Sequence, residues 1–345
     1  MNESEVRVDY ASIEKSLADL WRGQNQADEH AVTRAALWNV IAHTSTQNDQ
    51  AHASETLSHA AAQVPQRTIV IRSQPEEPTE IAAWISANCH LVGGEKQVCS
   101  EEIAIVAGGE AIHRVSPLVS ALLLPDMPVA MWWVGDLPGD HAYVKRLLES
   151  TDRLIVDSSL FNSASDLALL SEVTRDVATN PADLNWIRLE EWRAATAAVF
   201  DPVSARARLA GIRALRIVST ASTASFGDST ESLLYAGWLS SQAGYDAQSV
   251  AHDFRTEKRT RDFGSLCSVE IEFADGKTAS IARDDARHVI VATLDGKEHT
   301  LDCVTRVRSQ DLRSLIVRQL KRPEADRVFG RVLPIAAALA SRMAA

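Results

Sequence analysis

The stretch Leu122-Leu-Leu-Pro-Asp-Met-Pro-Val-Ala-Met-Trp-Trp-Val-Gly135 decides the fold of this chain. Pro125 and Pro128 each lack a backbone donor and disfavour helix in the residue before them, so the helix-like run over 117–124 stops here and the chain extends. Residues 129–134 then read as a buried strand. Its side chains alternate between two faces, which sends Trp132 to one side of the sheet and Trp133 to the other. Two readings of the paired indoles stand side by side: packing on two covered faces, and a fixed aromatic platform for a partner.

Working outward, residues 37–44 read as a strand, 52–63 as an alanine-rich helix and 67–72 as a second strand. Segments 81–91 and 97–107 are extended and joined at Gly93-Gly94, a hairpin signal. A helix over 111–124, the central strand, a helix over 141–150 and a strand over 153–157 restore the alternation that builds a parallel sheet. Residues 163–200 turn helical, with Asn180-Pro-Ala-Asp as break and cap. Strand 212–219, a Ser/Thr-rich loop and a helix over 231–243 stopped by Gly244 follow. Beyond a basic run, Arg255 to Arg261, three alternating segments separated by Asp275-Gly276 and Asp295-Gly296 form an antiparallel meander. Helices over 311–320 and 325–343 finish the chain. The expected fold is α/β, a mostly parallel sheet with flanking helices and an inserted hairpin over 31–245. An N-terminal arm or helix (1–30, with Ile13, Leu17 and Leu20 at helical spacing) precedes it, and a C-terminal α+β domain with the meander (246–345) follows.

With 345 residues, 46% hydrophobic and 23% charged, the composition is that of an ordinary globular protein. A formal charge of −11 disfavours nucleic acid, because phosphate contacts need a basic face. Neither a basic-then-apolar leader nor an apolar run near the ~20 residues of a membrane span is present, so a soluble, cytoplasmic protein with no membrane partner is expected. Cys89, Cys99, Cys267 and Cys303 contain no C-x-x-C, and free buried thiols are the default; Cys89 and Cys99 become a candidate redox pair if their strands form a hairpin. His52 and His59 stand seven apart with no zinc-binding motif, and no metal or cofactor is expected.

Neither G-x-G-x-x-G, nor a P-loop, nor a G-x-S-x-G elbow occurs, and Gly93-Gly94 and Gly108-Gly109 read as turns. Asp157 with Ser158 and Ser159 ends a strand, where open α/β sheets bind ligands, and so marks a candidate ligand edge beside its plainer role as a cap or loop anchor. The segment from Asp183 through Trp186, Arg188, Trp192 and Arg193 to Asp201 is rich in anchors. It reads either as an internal clasp of stacked and salt-bridged side chains or as a protein interface, since Trp and Arg dominate binding hot spots. The basic run near residue 258 is a solvated loop or a surface for an acidic partner or sugar phosphate.

Four separated motifs carry a resemblance: Pro117 to Gly135, Asp152-Arg-Leu-Ile-Val-Asp-Ser158, Asp183-Leu-Asn-Trp-Ile-Arg-Leu with Trp192-Arg and Phe200-Asp201, and Leu234-Tyr-Ala-Gly-Trp-Leu-Ser240. In order and spacing, over about half the chain, they resemble the glucose-6-phosphate dehydrogenase assembly protein family, OpcA. That resemblance implies a non-catalytic bacterial protein that binds glucose-6-phosphate dehydrogenase, promotes its active state and feeds the oxidative pentose phosphate pathway. It brings no catalytic residues, and it implies redox control through cysteines in some members. Asp126, Asp183, Trp186, Arg188, Trp192 and Arg193 are the candidate partner-binding residues. The alternative is a sugar-phosphate-binding sensor or enzyme with its site at the Asp157 edge.

Overall fold

The computed structural model describes residues 6–27, 32–34, 36–92, 96–135, 137, 141–220, 226–257, 265–295, 297–298, 304–322 and 324–344. Strand β1 (Val6–Val8) is followed by helix α1 (Ile13–Ala27), which buries Ile13, Leu17 and Trp21 along one face, so the leading segment is a packed helix rather than an arm. Strand β2 (Val32–Arg34) precedes the expected strand-helix-strand unit, β3 (Trp38–Thr44), α2 (Gln47–Ala61) and β4 (Gln66–Gln74). The hairpin strands are longer than their sequence signal, β5 (Ile81–Val92) and β6 (Lys96–Gly108); Gly93-Gly94 lies outside the described residues. Then come α3 (Val115–Leu122), β7 (Val129–Trp133), α4 (His141–Leu148) and β8 (Arg153–Val156).

These strands form one sheet in the order β1-β5-β6-β4-β3-β7-β8, with β2 beside β6. The five strands from β6 to β8 run parallel, and β5 and β1 are antiparallel at one side. Every residue of β3 and β7 is buried, as strands covered on both faces require. The proline turn between α3 and β7 has an organiser that the motif itself does not contain. Asn39 of β3 donates its amide to the carbonyls of Leu124 (3.0 Å) and Met127 (3.3 Å) and accepts from the Leu124 N–H (2.8 Å). Asp126, at φ +62°, completes the turn in the left-handed region.

The chain continues through α5 (Ala164–Asp176), β9 (Asn180–Asp183), α6 (Leu184–Arg188), α7 (Glu190–Val199) and α8 (Val203–Arg206). After β10 (Ile212–Thr220) and α9 (Gly227–Ala243) comes β11 (Ala251–Glu257), which takes in the start of the basic run at Arg255. The meander follows as β12 (Leu266–Phe273), β13 (Thr278–Asp284) and β14 (Val289–Leu294), extended by β15 (Lys297–Glu298) and β16 (Val304–Arg306). Helices α10 (Leu312–Leu320) and α11 (Arg327–Ala344) close it. This second sheet is ordered β11-β10-β12-β13-β14-β15, with β16 on β14, and only the β10–β11 pair is parallel.

Two units result: Met1–Val156 with Val173–Asn180 and Leu312–Ala325, and Asp157–Glu172 with Pro181–Asp311 and Asp326–Ala345. The expected boundary after residue 245 falls beyond β10, whose pairing decides where residues 212–245 group. Its hydrogen-bonding neighbours are β11 and the meander strand β12, so residues 212–245 belong with the meander and not with the parallel sheet. Inside the second unit, α9 and α11 pack closely at Gly237, where an added Cβ would lie 3.3 Å from Val332 and 3.4 Å from the Ala336 nitrogen. Gly244, at φ +74°, ends α9 as expected.

Candidate functional site

The exit of β8 is the first residue of the second unit, and it opens a buried polar hub. Asp157 is 8% exposed and caps the short turn of 3-10 helix at Ser158–Leu160, accepting from the Ser159 N–H and hydroxyl at 3.2 and 2.6 Å. Arg188, at the end of α6, grips both oxygens of Asp157 with two guanidinium nitrogens at 2.7 and 2.8 Å. Asp183 caps α6 through the Asn185 N–H (2.9 Å) and also accepts from the Ser158 N–H (3.0 Å) and hydroxyl (2.6 Å). Asn185 donates to the hydroxyl of Thr230 on α9 (2.7 Å), and Thr230 donates to the Ser158 carbonyl (3.1 Å). One residue along, Glu231 accepts from the backbone N–H groups of Ser265 and Leu266 at the start of β12. Four segments distant in sequence are thereby joined.

The electrostatics of the hub are uneven. Burial pushes Asp157 up, but the charge and hydrogen bonds of Arg188 outweigh it and hold the carboxyl below the usual range. Asp183 is in no ion pair among the described residues, and its hydrogen-bond donors are neutral. Burial first, and the Asp157 charge second, raise it to about 7 against the pull of its donors. Arg188 is itself held firmly protonated by Asp157, Glu231 and Asp183, despite burial. As a ligand edge, Asp157 and Ser158 therefore offer little. Both Asp157 oxygens already face Arg188, and Ser158 is 0% exposed. The cap reading of Asp157 is what the geometry contains.

The tryptophans of the following segment are internal. Trp186 and Trp192 are 3% and 2% exposed, so both indoles are packed inside this unit. The Trp186 N–H donates to Asp326 (2.7 Å), which in turn caps the start of α11 through the Val328 and Phe329 N–H groups. The Arg193 guanidinium lies 3.4 Å from the Trp186 ring centre and donates to the carbonyls of Trp186 and Leu189. This is the clasp alternative. Of the six candidate partner-binding residues only Asp126 is exposed, and it belongs to the first unit.

In that first unit the strand order reverses between β3 and β7, and the carboxyl ends of these strands are where an open α/β sheet binds its ligands. The protein's own side chains fill the place. His43 of β3 stacks on Trp133 of β7 with ring centres 3.9 Å apart, and its Nε2 lies 3.0 Å from the Ser73 hydroxyl and 3.2 Å from the Tyr143 hydroxyl. Ser73 and Tyr143 are 2.7 Å apart, and all four residues are at most 7% exposed. Burial lowers His43 to about 3, so the imidazole is neutral. At the adjacent start of α2, which is exposed, Thr46 caps the helix by accepting from the Asp49 N–H and donates to the Asp49 carboxylate. Sequence reasoning missed His43 and Asn39, polar residues set into an otherwise apolar strand, which was their only signal.

The remaining motifs find plain places. Gly108 and Gly109 let the turn at residues 77–79 approach: a Cβ on Gly108 would sit 2.2 Å from the Pro78 oxygen, and Gly109 has φ +48°. Arg255 lies on β11, and 258–264 are outside the described residues. The hairpin sets Cys89 directly opposite Cys99 in register, and Cys99 is disulfide-bonded; the Cys89 side chain lies outside the described residues. Cys267 is a buried thiol with the Thr220 hydroxyl 3.1 Å away. Among the described residues no group of His, Cys, Asp and Glu is placed to hold a metal, and no helix is long and apolar enough to cross a membrane.

The class these features define is a two-unit α/β protein in which His43, Trp133, Ser73 and Tyr143 pack together at the switch point of the first sheet and Arg188 pairs with Asp157 in the hub of the second unit. Within that class, the chain belongs to the OpcA family of glucose-6-phosphate dehydrogenase assembly proteins. Residues 57–172 match the family model described as glucose-6-phosphate dehydrogenase subunit N-terminal domain, and 179–333 match the C-terminal domain of the same name. A putative OxPP cycle protein OpcA from Synechocystis is 30% identical over 195 residues, covering 56% of this chain and 40% of the relative. One from Nostoc punctiforme is 29% identical over 258 residues, 71% of this chain and 53% of its own. The chain thus spans about half the length of the curated relatives it matches. Among solved structures, a mutant of the 3-ketoreductase KijD10 from Actinomadura kijaniata aligns with TM-score 0.48 at 10% identity, over 88% of this chain and 96% of that one. At that level no function passes from it to this chain.

Proposed function

We propose that this chain is a non-catalytic partner of glucose-6-phosphate dehydrogenase, an assembly factor or allosteric activator that favours the enzyme's active state in the oxidative pentose phosphate pathway of the cytoplasm. The observation that carries this reading is the pair of dehydrogenase-subunit domains matched in order over residues 57–333. The filled crevice and the self-paired hub support it, since neither offers a substrate an unengaged charged group. Activation then requires the chain to bind the active state of the enzyme more tightly than the inactive one; ~1–3 kcal/mol of such coupling shifts affinity or population 5- to 150-fold. The exposed Asp126 turn is the proposed point of contact among the residues singled out from sequence. Co-elution of the purified chain with the dehydrogenase of its own organism on size-exclusion chromatography is the expected result. Separate elution at micromolar concentrations of both would overturn the reading.

A further inference from the structure

The proline turn between α3 and β7 carries a charged side chain with no partner inside the chain. Asp126 is exposed at φ +62°, a left-handed conformation that glycine adopts at no steric cost. Among the described residues its carboxylate meets neither a hydrogen-bond donor nor a cation. The turn does not depend on that carboxylate. Asn39 holds it through the Leu124 N–H and the Leu124 and Met127 carbonyls, and Pro125 and Pro128 fix the backbone on either side. An aspartate kept in a conformation that suits glycine better, in a turn already held by other groups, is free to serve a contact outside the chain.

The surface around Asp126 is apolar. Pro125 is exposed, and Leu123, Leu124, Met127 and Pro128 are half-buried. Leu37, 59% exposed, stands two residues before Asn39, whose N–H donates to the Pro128 carbonyl at 2.9 Å; neighbouring strands lie about 5 Å apart, so Leu37 adjoins the turn. The charges at this amino end of the sheet are engaged or acidic. Glu14 pairs with the buried Arg67 at 2.6 Å, and Asp152 accepts from the Val129 N–H at 2.8 Å. Lys321 is turned to Gln63 at 3.0 Å, and Glu149 is a further exposed carboxylate. The cation that Asp126 lacks must therefore come from a partner. An apolar ring around one fixed charge is the arrangement of a binding hot spot, where the surround excludes water and strengthens the central pair. Because the turn is held before contact, docking orders little that was not ordered already.

We propose that this turn anchors the dehydrogenase contact, seating Asp126 on an arginine or lysine within an apolar groove of that enzyme; the proposal rests on the partner reading above. The test measures the Kd of the full chain for the dehydrogenase of its own organism by isothermal titration calorimetry, with thermal unfolding of each variant. Asp126→Asn tolerates the left-handed turn and removes only the charge, so it should weaken binding about 10-fold or more with an unchanged Tm. Leu37→Ser, which opens the apolar ring, weakens binding as well. Wild-type affinity in either variant overturns the proposal and leaves the partner reading standing. A fall in the Tm of Asp126→Asn also overturns it, because the carboxylate would then be serving the turn. If the wild type itself forms no complex, the partner reading fails and this proposal with it.

Discussion

Replacing Asp183 with Asn removes the buried hub carboxyl that burial holds above its ordinary range. In the wild type its folded value is about 7, against 3.8 for the free side chain. A group whose value rises on folding contributes stability in its protonated form. That contribution is complete below about pH 4 and lost as pH climbs through 7. At 1.36 kcal/mol per unit, a shift of about three units amounts to roughly 4 kcal/mol between pH 4 and pH 8. Asp183 is 1% exposed, so solvent does not screen this away. Asn cannot ionise, keeps an oxygen to accept from the Ser158 and Asn185 N–H groups, and turns its amide toward the Ser158 hydroxyl, which then accepts. Asp157 titrates below its ordinary range and stays outside the window. Urea unfolding of both proteins from pH 4 to 8 should therefore give curves that diverge by roughly 4 kcal/mol, the variant becoming the more stable partner as pH rises. Parallel curves would refute the reasoning and place the three hydrogen-bond donors, rather than burial, in control of the carboxyl.

Other substitutions probe the scaffold. Trp186→Ala removes a buried indole, its bond to Asp326 and the Arg193 stack, and is expected to cost about 3–5 kcal/mol in thermal unfolding rather than to weaken partner binding in a folded protein. Asn39→Ala frees the Leu124 N–H and the Leu124 and Met127 carbonyls and should lower stability by about 2–3 kcal/mol, read as a fall in Tm. Gly237→Leu forces α9 from α11 and should cost about 1–3 kcal/mol by chemical denaturation, with unchanged behaviour for Gly244→Asn, whose left-handed position stands in open space.

The elements of the parallel sheet were legible because their signals are local. Pro125 and Pro128 stop α3, and the uninterrupted apolar run before Gly135 leaves no choice but a covered strand. The pairing of β10 was not legible, because nothing within residues 212–220 tells whether it hydrogen-bonds to the parallel sheet or to the meander; that is a long-range pairing. The burial of Trp186 and Trp192 was not legible for a related reason. Residue type says what a side chain is able to contact, and only packing says whether a partner can reach it. Asp157 and Asp183 were found by their positions at a strand exit and a helix start, whereas Thr230 and Glu231, which tie that hub to α9 and β12, sit in an ordinary helical pattern with no mark of their role.

The most direct measurement is a titration of glucose-6-phosphate dehydrogenase from the same organism with this chain, following initial rates over a range of glucose 6-phosphate concentrations. A saturable rise in kcat/KM at a fixed stoichiometry, with no turnover by the chain alone, is what the account predicts. Rates that stay unchanged at a large excess of the chain, with no complex detected, would contradict it.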